Sequence, residues 1–308
     1  MQQLLQQLAN GLILGSIYAL VALGYTMVYG ILGLINFAHG EVVMFGAMIT
    51  ISLIHVLGGY LPYSGVPLVL TAVLLALPLT ALLGLAIERL AYRPLRNAPR
   101  LAPLITAIGV SILLQNVAMM IWGRSYIPFP NIFEVKQYEW AGVHFTNVHI
   151  AIVVVAFVMM AGLFVLIEKT KLGRAMRATA ERPDIALLMG INPNRIIAIT
   201  FVLGSMLAAI AGVMACTNNW PAHPYMGFLL GLKAFSAAVL GGIGNITGAV
   251  VGGLLLGIIE ALAGGYIGDL THGFLGSQYQ DIFAFMVLIG VLVFRPSGLL
   301  GERLAERA

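Results

Sequence analysis

The most informative feature of this sequence is how little charge it contains. Only 9% of its 308 residues are charged, whereas an ordinary soluble domain carries about 25%. Hydrophobic residues make up 60% of the chain, and the mean hydropathy is +0.97. A globule with a polar shell cannot be built from this composition. The chain is therefore expected to be an integral membrane protein that contacts the lipid bilayer directly.

Other absences exclude several classes of protein. The single cysteine, Cys216, rules out an internal disulfide, and its apolar surroundings predict a buried thiol. The first ten residues carry no Lys or Arg, so a cleaved signal peptide is not expected. No nucleotide-binding glycine–lysine loop, metal-ligand spacing or nucleophile elbow is present, so no catalytic residue, metal site or cofactor is expected. No basic patch interleaved with aromatic residues predicts nucleic-acid binding.

The few basic residues are concentrated in three short clusters. Thirteen of the sixteen Lys and Arg residues lie within residues 89–100, 169–195 and 295–307. Basic loops mark the cytoplasmic side of inner-membrane proteins. The three clusters are therefore expected to face the cytoplasm, which puts the C-terminus inside. Segments 123–147 and 218–224 would then face outward, the first with balanced charge and several interfacial aromatic residues.

Long apolar segments predict an all-α polytopic fold, because a helix needs about 20 apolar residues to cross the hydrocarbon. The predicted spans are residues 11–35, 41–57, 66–87, 101–122, 148–167, 196–217 and 281–294, with two further crossings within 225–263. The total is about nine, or eight if residues 36–57 form a re-entrant segment. The side on which the N-terminus lies stays open between these counts. No compositional break divides the chain, so a single transmembrane domain over residues 1–308 is expected.

Two glycine-rich segments with polar interruptions form a weak repeat between the halves, at residues 30–46 and 231–253. Paired broken segments in a transporter predict a pathway built from discontinuous helices. The candidate pathway or gate residues are Gly33, Asn36, His39, Gly40, Glu41, Gly241, Gly242, Gly244 and Asn245. The alternatives are that the glycines serve only close helix packing, and that Asn36 caps a helix within a short polar loop.

Residues 168–195 form the longest basic loop and predict two short helices. One helical face is shared by Leu172, Ala175, Met176 and Thr179. Pro183 suits the first turn of a second helix over residues 184–189, and Gly190 suits its end. A short helix held between two spans could receive the motion of a soluble ATPase. The alternative is an amphipathic helix lying among lipid headgroups.

Four of these segments resemble one known family. Residues 24–47 (GYTMVYGILGLINFAHGEVVMFGA) resemble the N-terminal signature of the high-affinity branched-chain amino acid permeases of the LivH type. Residues 172–192 (LGRAMRATAERPDIALLMGIN) are similar to the cytoplasmic coupling loop of that family. Residues 233–262 and 295–301 (RPSGLLG) resemble its C-terminal signature and its end. The resemblance covers nearly the whole chain in the same order.

The resemblance implies the permease subunit of an ABC importer in the inner membrane. A LivM-like second permease, or a second copy of this chain, would complete the membrane core. Two cytoplasmic ATPase subunits would bind the ATP, and a periplasmic binding protein would deliver branched-chain amino acids. The coupling role falls on Gly173, Arg174, Ala180, Glu181, Leu188, Gly190 and Asn192. Arg182 and Pro183 depart from the family pattern, in which an acidic residue and no proline are expected.

Two other functions stay open at this point. A related permease could carry urea, short amides or a broader range of amino acids, because the signatures are shared. A stand-alone ion-coupled carrier would instead require His39, Glu41 or Lys233 to titrate within the membrane. For Lys233 and Glu260, the alternative is that each simply reaches water from the end of a span.

Overall fold

The computed structural model describes residues 2–301, except positions 63, 97, 100, 131–133, 141, 219, 272–273, 275 and 277–278. The side chains of residues 269 and 270 are also outside the description. The last part of the third basic cluster, with Arg303 and Arg307, therefore lies outside the described residues, as does Arg100.

Helices account for nearly all of the regular structure in the described part. They are α1 (Gln2–Leu32), α2 (His39–Gly58), α3 (Val66–Ile87), α4 (Leu101–Trp122), α5 (Asn147–Lys169), α6 (Lys171–Glu181), α7 (Pro183–Leu188), α8 (Pro193–Thr217), α9 (Met226–Gly241), α10 (Ile246–Leu270) and α11 (Gln280–Phe294). A π-helical segment (Glu88–Tyr92) and a 3₁₀ turn (Arg93–Leu95) extend α3.

The apolar helices confirm the predicted all-α polytopic fold. Seven of them in the described part are long and apolar enough to cross a membrane, namely α1 to α5, α8 and α10. The helices α9 and α11 are apolar but shorter, at 16 and 15 residues. Because α2 has 20 residues, its length favours a full crossing over a re-entrant segment. The first span ends three residues earlier than predicted, because Gly33 adopts a φ of +62°.

A short hairpin within the predicted outer loop was missed by the sequence analysis. Strands β1 (Gln137–Trp140) and β2 (Val143–Thr146) pair antiparallel around Gly142, whose φ is +78°. The start of α1 holds this hairpin: Gln6 Nε2 donates to the His144 carbonyl (3.0 Å), and the His144 N–H donates to Gln6 Oε1 (2.8 Å). The hairpin therefore lies at the same end of the molecule as the first turns of α1.

The contacts divide the chain into two compact units, each assembled from separated segments. The first unit contains residues 1–26, 135–160 and 233–308, and the second contains residues 27–134 and 161–232. The expectation of a single domain stays a prediction. Each unit is described by itself below.

Small residues at close crossings build both cores. In the second unit, a Cβ on Gly84 would overlap the side chain of Ser205, and one on Gly46 would overlap Ala209. In the first unit, a Cβ on Gly15 would lie 2.7 Å from Leu254 Cα. Glycine at such crossings lets two helix backbones approach closely, which is the usual basis of helix association within a bilayer.

Candidate functional site: two helix breaks and the basic loop

The first helix break, residues 33–38, separates α1 from α2 in the second unit. The buried Asn36 organises it, because its Oδ1 accepts a hydrogen bond from the Ala38 N–H (3.1 Å) and its carbonyl accepts one from the His39 N–H (3.0 Å). Such a side-chain-to-backbone bond is typical of the turn that precedes a helix. The N-cap position of α2 is occupied by Ala38, without a side-chain cap hydrogen bond, so the alternative that Asn36 caps the helix is wrong. Asn36 forms the turn that precedes the cap, and its place in a pathway stays a prediction.

Tyr92 reaches this break from the basic loop after α3, a contact that the sequence analysis missed. Its hydroxyl lies 3.2 Å from the carbonyl of Ile35 and 3.1 Å from Asn36 Oδ1. Its ring packs against Phe201 of α8, with the ring centroids 5.3 Å apart. Tyr92 ends the π-helical segment, and such segments occur frequently at functional sites. Nothing local in the sequence around Tyr92 indicates a partner 56 residues away.

A buried ion pair connects the first two basic clusters. Arg96 binds the carboxylate of Glu88, which is buried, and also donates to Asn194 Oδ1 in the first turn of α8. Partial burial lowers the pKa of Arg96 below its usual value, and the neighbouring Glu88 opposes that shift. The two basic loops therefore lie on the same side of the second unit, as their charge predicts.

Glu41 lies in the first turn of α2 and is buried, with 1% of its surface exposed. Its Oε1 accepts hydrogen bonds from Ser111 Oγ (3.0 Å) and Gln115 Nε2 (2.8 Å), both on α4. Its Oε2 is also buried and has no hydrogen-bond partner among the described residues. Both partners of this carboxylate are neutral, so no protein cation offsets its charge within the described part.

Two glycines close the space beside Glu41. A Cβ on Gly40 would overlap the carbonyl oxygen of Gly227, and a Cβ on Gly227 would overlap that of Gly40. The same Cβ on Gly227 would lie 2.7 Å from Glu41 Oε2. Gly227 therefore brings the first turns of α9 against those of α2, directly over the unsatisfied oxygen. Of this arrangement the sequence analysis predicted Gly40 and Glu41 but not Gly227, Ser111 or Gln115.

The second helix break, residues 242–245, separates α9 from α10 in the first unit. Gly242 and Gly244 have φ values of +109° and +94°, which residues with a side chain rarely adopt. Asn245 Oδ1 accepts from the Gly248 N–H (2.9 Å), and Gly241 is in contact with the backbone of Gly248. The predicted glycine-rich interruption is therefore a tight turn that begins α10.

The C-terminal RPSGLLG segment packs on this second break. The N–H groups of Leu299 and Leu300 donate to the carbonyls of Leu240 and Gly241, both at 2.9 Å. Asn245 Nδ2 donates in return to the Leu300 carbonyl (2.8 Å). The last carbonyls of α9 are thus satisfied by residues 59 positions further along the chain, which local sequence patterns cannot indicate.

A buried charged cluster lies elsewhere in the first unit. Lys233 Nζ is 2.7 Å from Glu260 Oε1 and 2.8 Å from Asp281 Oδ1. The Tyr18 hydroxyl donates to Glu260 Oε2 (2.9 Å), and Gln280 Nε2 donates to Glu260 Oε1 (3.2 Å). Lys233 is 8% exposed and Glu260 is 1% exposed. The alternative that each reaches water by itself is therefore wrong: they neutralise each other within the protein.

The basic loop folds into the two helices that its sequence predicts. In α6, Met176 and Thr179 are buried, and Leu172 and Ala175 are partly buried, so the predicted face is confirmed. Thr170 Oγ1 caps α6 by accepting from the Gly173 N–H (3.2 Å). The remaining coupling candidates on this helix are exposed; they are Arg174, Ala180 and Glu181.

The short helix α7 presents an apolar tip to its surroundings. Pro183 occupies its first position, where a proline is favourable, so the departure from the family pattern is compatible with a helix start. Gly190 ends it with a φ of +81°, and Asn192 caps α8 by accepting from the Arg195 N–H (3.3 Å). Ala186 is buried. The exposed apolar side chains of the tip are Ile185, Leu187, Leu188 and Met189, with Leu188 85% exposed.

The two segments predicted to face outward contact each other in the second unit. Ile127 and Ala222 form an antiparallel bridge, and the rings of Tyr126 and His223 lie 4.8 Å apart. Partial burial lowers the pKa of His223. These contacts agree with the expectation that both segments lie on the same side, while the side itself stays a prediction.

A family model described as the permease component of the branched-chain amino acid transport system matches residues 7–292. The chain belongs to this family. The match includes both helix breaks, Glu41, Tyr92 and the whole basic loop, whereas the C-terminal segment 295–301 that packs on the second break lies beyond it.

Three relatives are similar to the permease chain over almost its full length. The permease protein BraD of the high-affinity branched-chain amino acid transport system of Pseudomonas aeruginosa is 48% identical, covering 98% of this chain and 97% of its own. The corresponding LivH proteins of Escherichia coli and Salmonella typhimurium are 45% and 44% identical. Each match covers 98% of this chain and 97% of the relative.

Proposed function

We propose that this chain is the membrane-spanning permease of an ABC importer for branched-chain amino acids in the inner membrane. The observation that carries the proposal is the correspondence, over 98% of the chain, with permeases named for that transport. ATP is bound and hydrolysed by separate cytoplasmic subunits. A second permease of the LivM type completes the core, and a periplasmic binding protein delivers the amino acid.

The contacts support a path with nine crossings. The hairpin binds the start of α1, so the first turns of α1 lie outside with the rest of segment 123–147. The first break contacts Tyr92 of the basic loop, and the second break contacts the C-terminal segment 295–301. The second break then lies toward the cytoplasm, together with the C-terminal segment. The start of α2 lies within the bilayer instead, because Gly40 contacts Gly227 at the start of α9 and Glu41 binds Ser111 and Gln115 in the middle of α4. The short helices α9 and α11 each cross once.

The exposed tip of α7 is the surface that the ATPase contacts. Leu188 and Met189 point away from the chain, whereas Ala186 holds the helix against it. Apolar side chains exposed in this way outside the bilayer are typical of a protein contact. Arg174 and Glu181 add charged positions on the preceding helix.

The motion of the basic loop reaches the first break through Arg96 and Tyr92. Asn194, in the first turn of α8 after α7, binds Arg96, and Arg96 binds Glu88 one turn before Tyr92. The Tyr92 hydroxyl then binds the backbone of the break and Asn36. Coupling of this kind is carried by hydrogen-bonded groups on rigid elements. Gly33, Asn36 and Glu41 line the pathway that opens when the break moves.

The test is uptake by the complete importer in proteoliposomes loaded with ATP. We expect uptake of radiolabelled leucine, isoleucine and valine that requires all subunits and is competed poorly by glutamate, proline and urea. Strong competition by urea would favour the amide permease instead. Uphill uptake by this chain alone, driven by a proton gradient, would reject the proposal.

The contact with the ATPase is tested by Leu188→Ser, with Tyr60→Ser as a matched control. Tyr60 is 84% exposed and lies in the loop between α2 and α3. Because an apolar side chain at the centre of an interface contributes about 2 kcal/mol or more, uptake should fall roughly tenfold for Leu188→Ser only. The Glu181 and Gly190 double replacement should likewise lower uptake without preventing membrane insertion. Equal uptake by both serine variants would exclude the tip as the contact.

A further inference from the structure

The carboxyl group of Glu41 is buried, and only one of its two oxygens is hydrogen-bonded among the described residues. Oε1 accepts two hydrogen bonds from neutral donors, and Oε2 has none among the described residues. A buried polar group is normally hydrogen-bonded, and a buried charge is normally paired. A single unsatisfied carboxylate oxygen at membrane depth is therefore a functional feature whose partner is a ligand.

The geometry restricts what that partner is. A metal ion needs several ligands, and no group of three or more His, Cys, Asp or Glu side chains in the described part of the chain could hold one. The ligand must instead supply a compact cation that donates hydrogen bonds to one oxygen. A primary ammonium group does this, because it is a point charge with three donors.

The orientation of the free oxygen explains how access would be controlled. Oε2 lies beside Gly227, where α9 contacts Gly40 of α2 backbone to backbone. Because neither glycine has a side chain, the two helix starts approach closely beside the oxygen. A separation of Gly40 and Gly227 would therefore expose Oε2. The Ser111 and Gln115 hydrogen bonds meanwhile hold the carboxylate on α4, so the group stays in place when α9 moves away.

We propose that Glu41 Oε2 accepts the α-ammonium group of the transported amino acid when α2 and α9 separate at Gly40 and Gly227. This inference rests on the proposed function and adds the recognition group within the pathway. The second unit also holds the buried carboxylate of Glu88, but Arg96 binds that group, whereas the partners of Glu41 among the described residues are neutral.

The test uses the complete importer and measures leucine delivered per ATP hydrolysed. This ratio does not depend on how much complex assembles. For Glu41→Gln we expect a fall of at least about tenfold, since hydrogen bonds to charged groups are the strong ones. Glu41→Asp, which keeps the anion, should retain more of the ratio than Gln does. The matched control is Thr50→Val, a buried polar replacement on the same helix whose hydroxyl bonds only Gly46.

A second measurement uses the wild-type complex without its binding protein. Leucine at high millimolar concentration should raise its unfolding temperature, whereas 4-methyl-2-hydroxypentanoate, which lacks the ammonium group, should not. Equal stabilisation by both compounds would overturn the inference. An unchanged amount of leucine delivered per ATP for Glu41→Gln would also overturn it, because Gln has the shape of the carboxyl group but no negative charge. An equal fall in this ratio for Thr50→Val would overturn it as well. If the wild-type complex transports no amino acid at all, the proposed function itself fails. That outcome differs from a failure of the inference about Glu41, in which the wild-type complex still transports leucine.

Discussion

Two glutamates of this chain are equally buried and yet surrounded very differently. Glu260 in the first unit is bound by Lys233, Tyr18 and Gln280. Glu41 in the second unit is bound on one oxygen only, by two neutral side chains. Burial of a charge is therefore not by itself a sign of function. What separates the two sites is whether the protein supplies the compensating charge, and only at Glu41 is that place left for a ligand.

The largest effect is expected at the compensated site. Lys233→Met leaves Glu260 buried without its cation, so the free energy of unfolding should fall by about 3–5 kcal/mol. The double variant Lys233→Met with Glu260→Gln should recover much of that loss, because the fully buried charge is removed and the remaining partner of Lys233, Asp281, is partly exposed. Thermal unfolding of the purified complex measures both. If the single and double variants are equally unstable, the cluster is not a charge-compensated site.

Closing of the Glu41 site is tested by Gly227→Ala. The new Cβ meets the Gly40 carbonyl and Glu41 Oε2, so the free energy of unfolding should fall by about 1–3 kcal/mol and uptake should fall with it. The matched control is Gly162→Ala in α5, where nothing lies within 4 Å of the new methyl group. That variant should be neutral or slightly stabilised. Equal effects at the two positions would mean that the crossing is not closed as described.

The comparison is sharpest when the same replacement is made at both glutamates. Glu260→Gln should lower the free energy of unfolding by roughly 1–3 kcal/mol, because Lys233 loses its buried partner. Glu41→Gln should leave it unchanged or raise it, since an uncompensated charge is removed while the acceptor for Ser111 and Gln115 remains. Thermal unfolding of the two variants, measured in parallel, tests both expectations. A clear loss of stability for Glu41→Gln would show that its charge is compensated after all.

The smallest expected effects are at the hydrogen-bond donors. Tyr18→Phe removes one donor to Glu260 and should lower the free energy of unfolding by about 1 kcal/mol, with little change in leucine delivered per ATP. Ser111→Ala removes one donor that holds Glu41 on α4. This variant should lower the amount of leucine delivered per ATP hydrolysed by a few fold, because the Glu41 carboxylate is less firmly held. The pattern would be refuted by a change in the ratio for Tyr18→Phe that matches the change for Ser111→Ala.

Apolar runs and charge clusters were enough to predict the helices. The bounds of α3 and α4 are the predicted ones, because each run ends at charged or loop-forming residues. Pro183 and Gly190 likewise predicted α7, since both residues act on the backbone within one turn. Apolar runs and helix-ending residues such as proline and glycine are local features of the sequence. Such local features determine where a membrane helix begins and ends.

The candidate site was only partly predictable, because its decisive contacts join distant parts of the chain. Glu41 and Gly40 were predicted, but Ser111, Gln115 and Gly227 lie 70 or more residues away and have no unusual local context. Tyr92 was counted as part of a basic loop, and only its position beside Asn36 reveals its contact with the break. From the sequence alone, Lys233 and Glu260 could each have reached water. Only the distance between Lys233 Nζ and Glu260 Oε1 shows that they form an ion pair.

The docking of segment 295–301 on the second break makes the first unit depend on parts of the chain that are synthesised far apart in time. The turn between α9 and α10 obtains hydrogen-bond partners from Leu299 and Leu300, and the same unit contains residues 1–26. Because synthesis runs from the N-terminus, residues 1–26 are made well before their unit has all of these partners. A fluorescent or affinity tag inserted between Arg295 and Gly301 would prevent this docking.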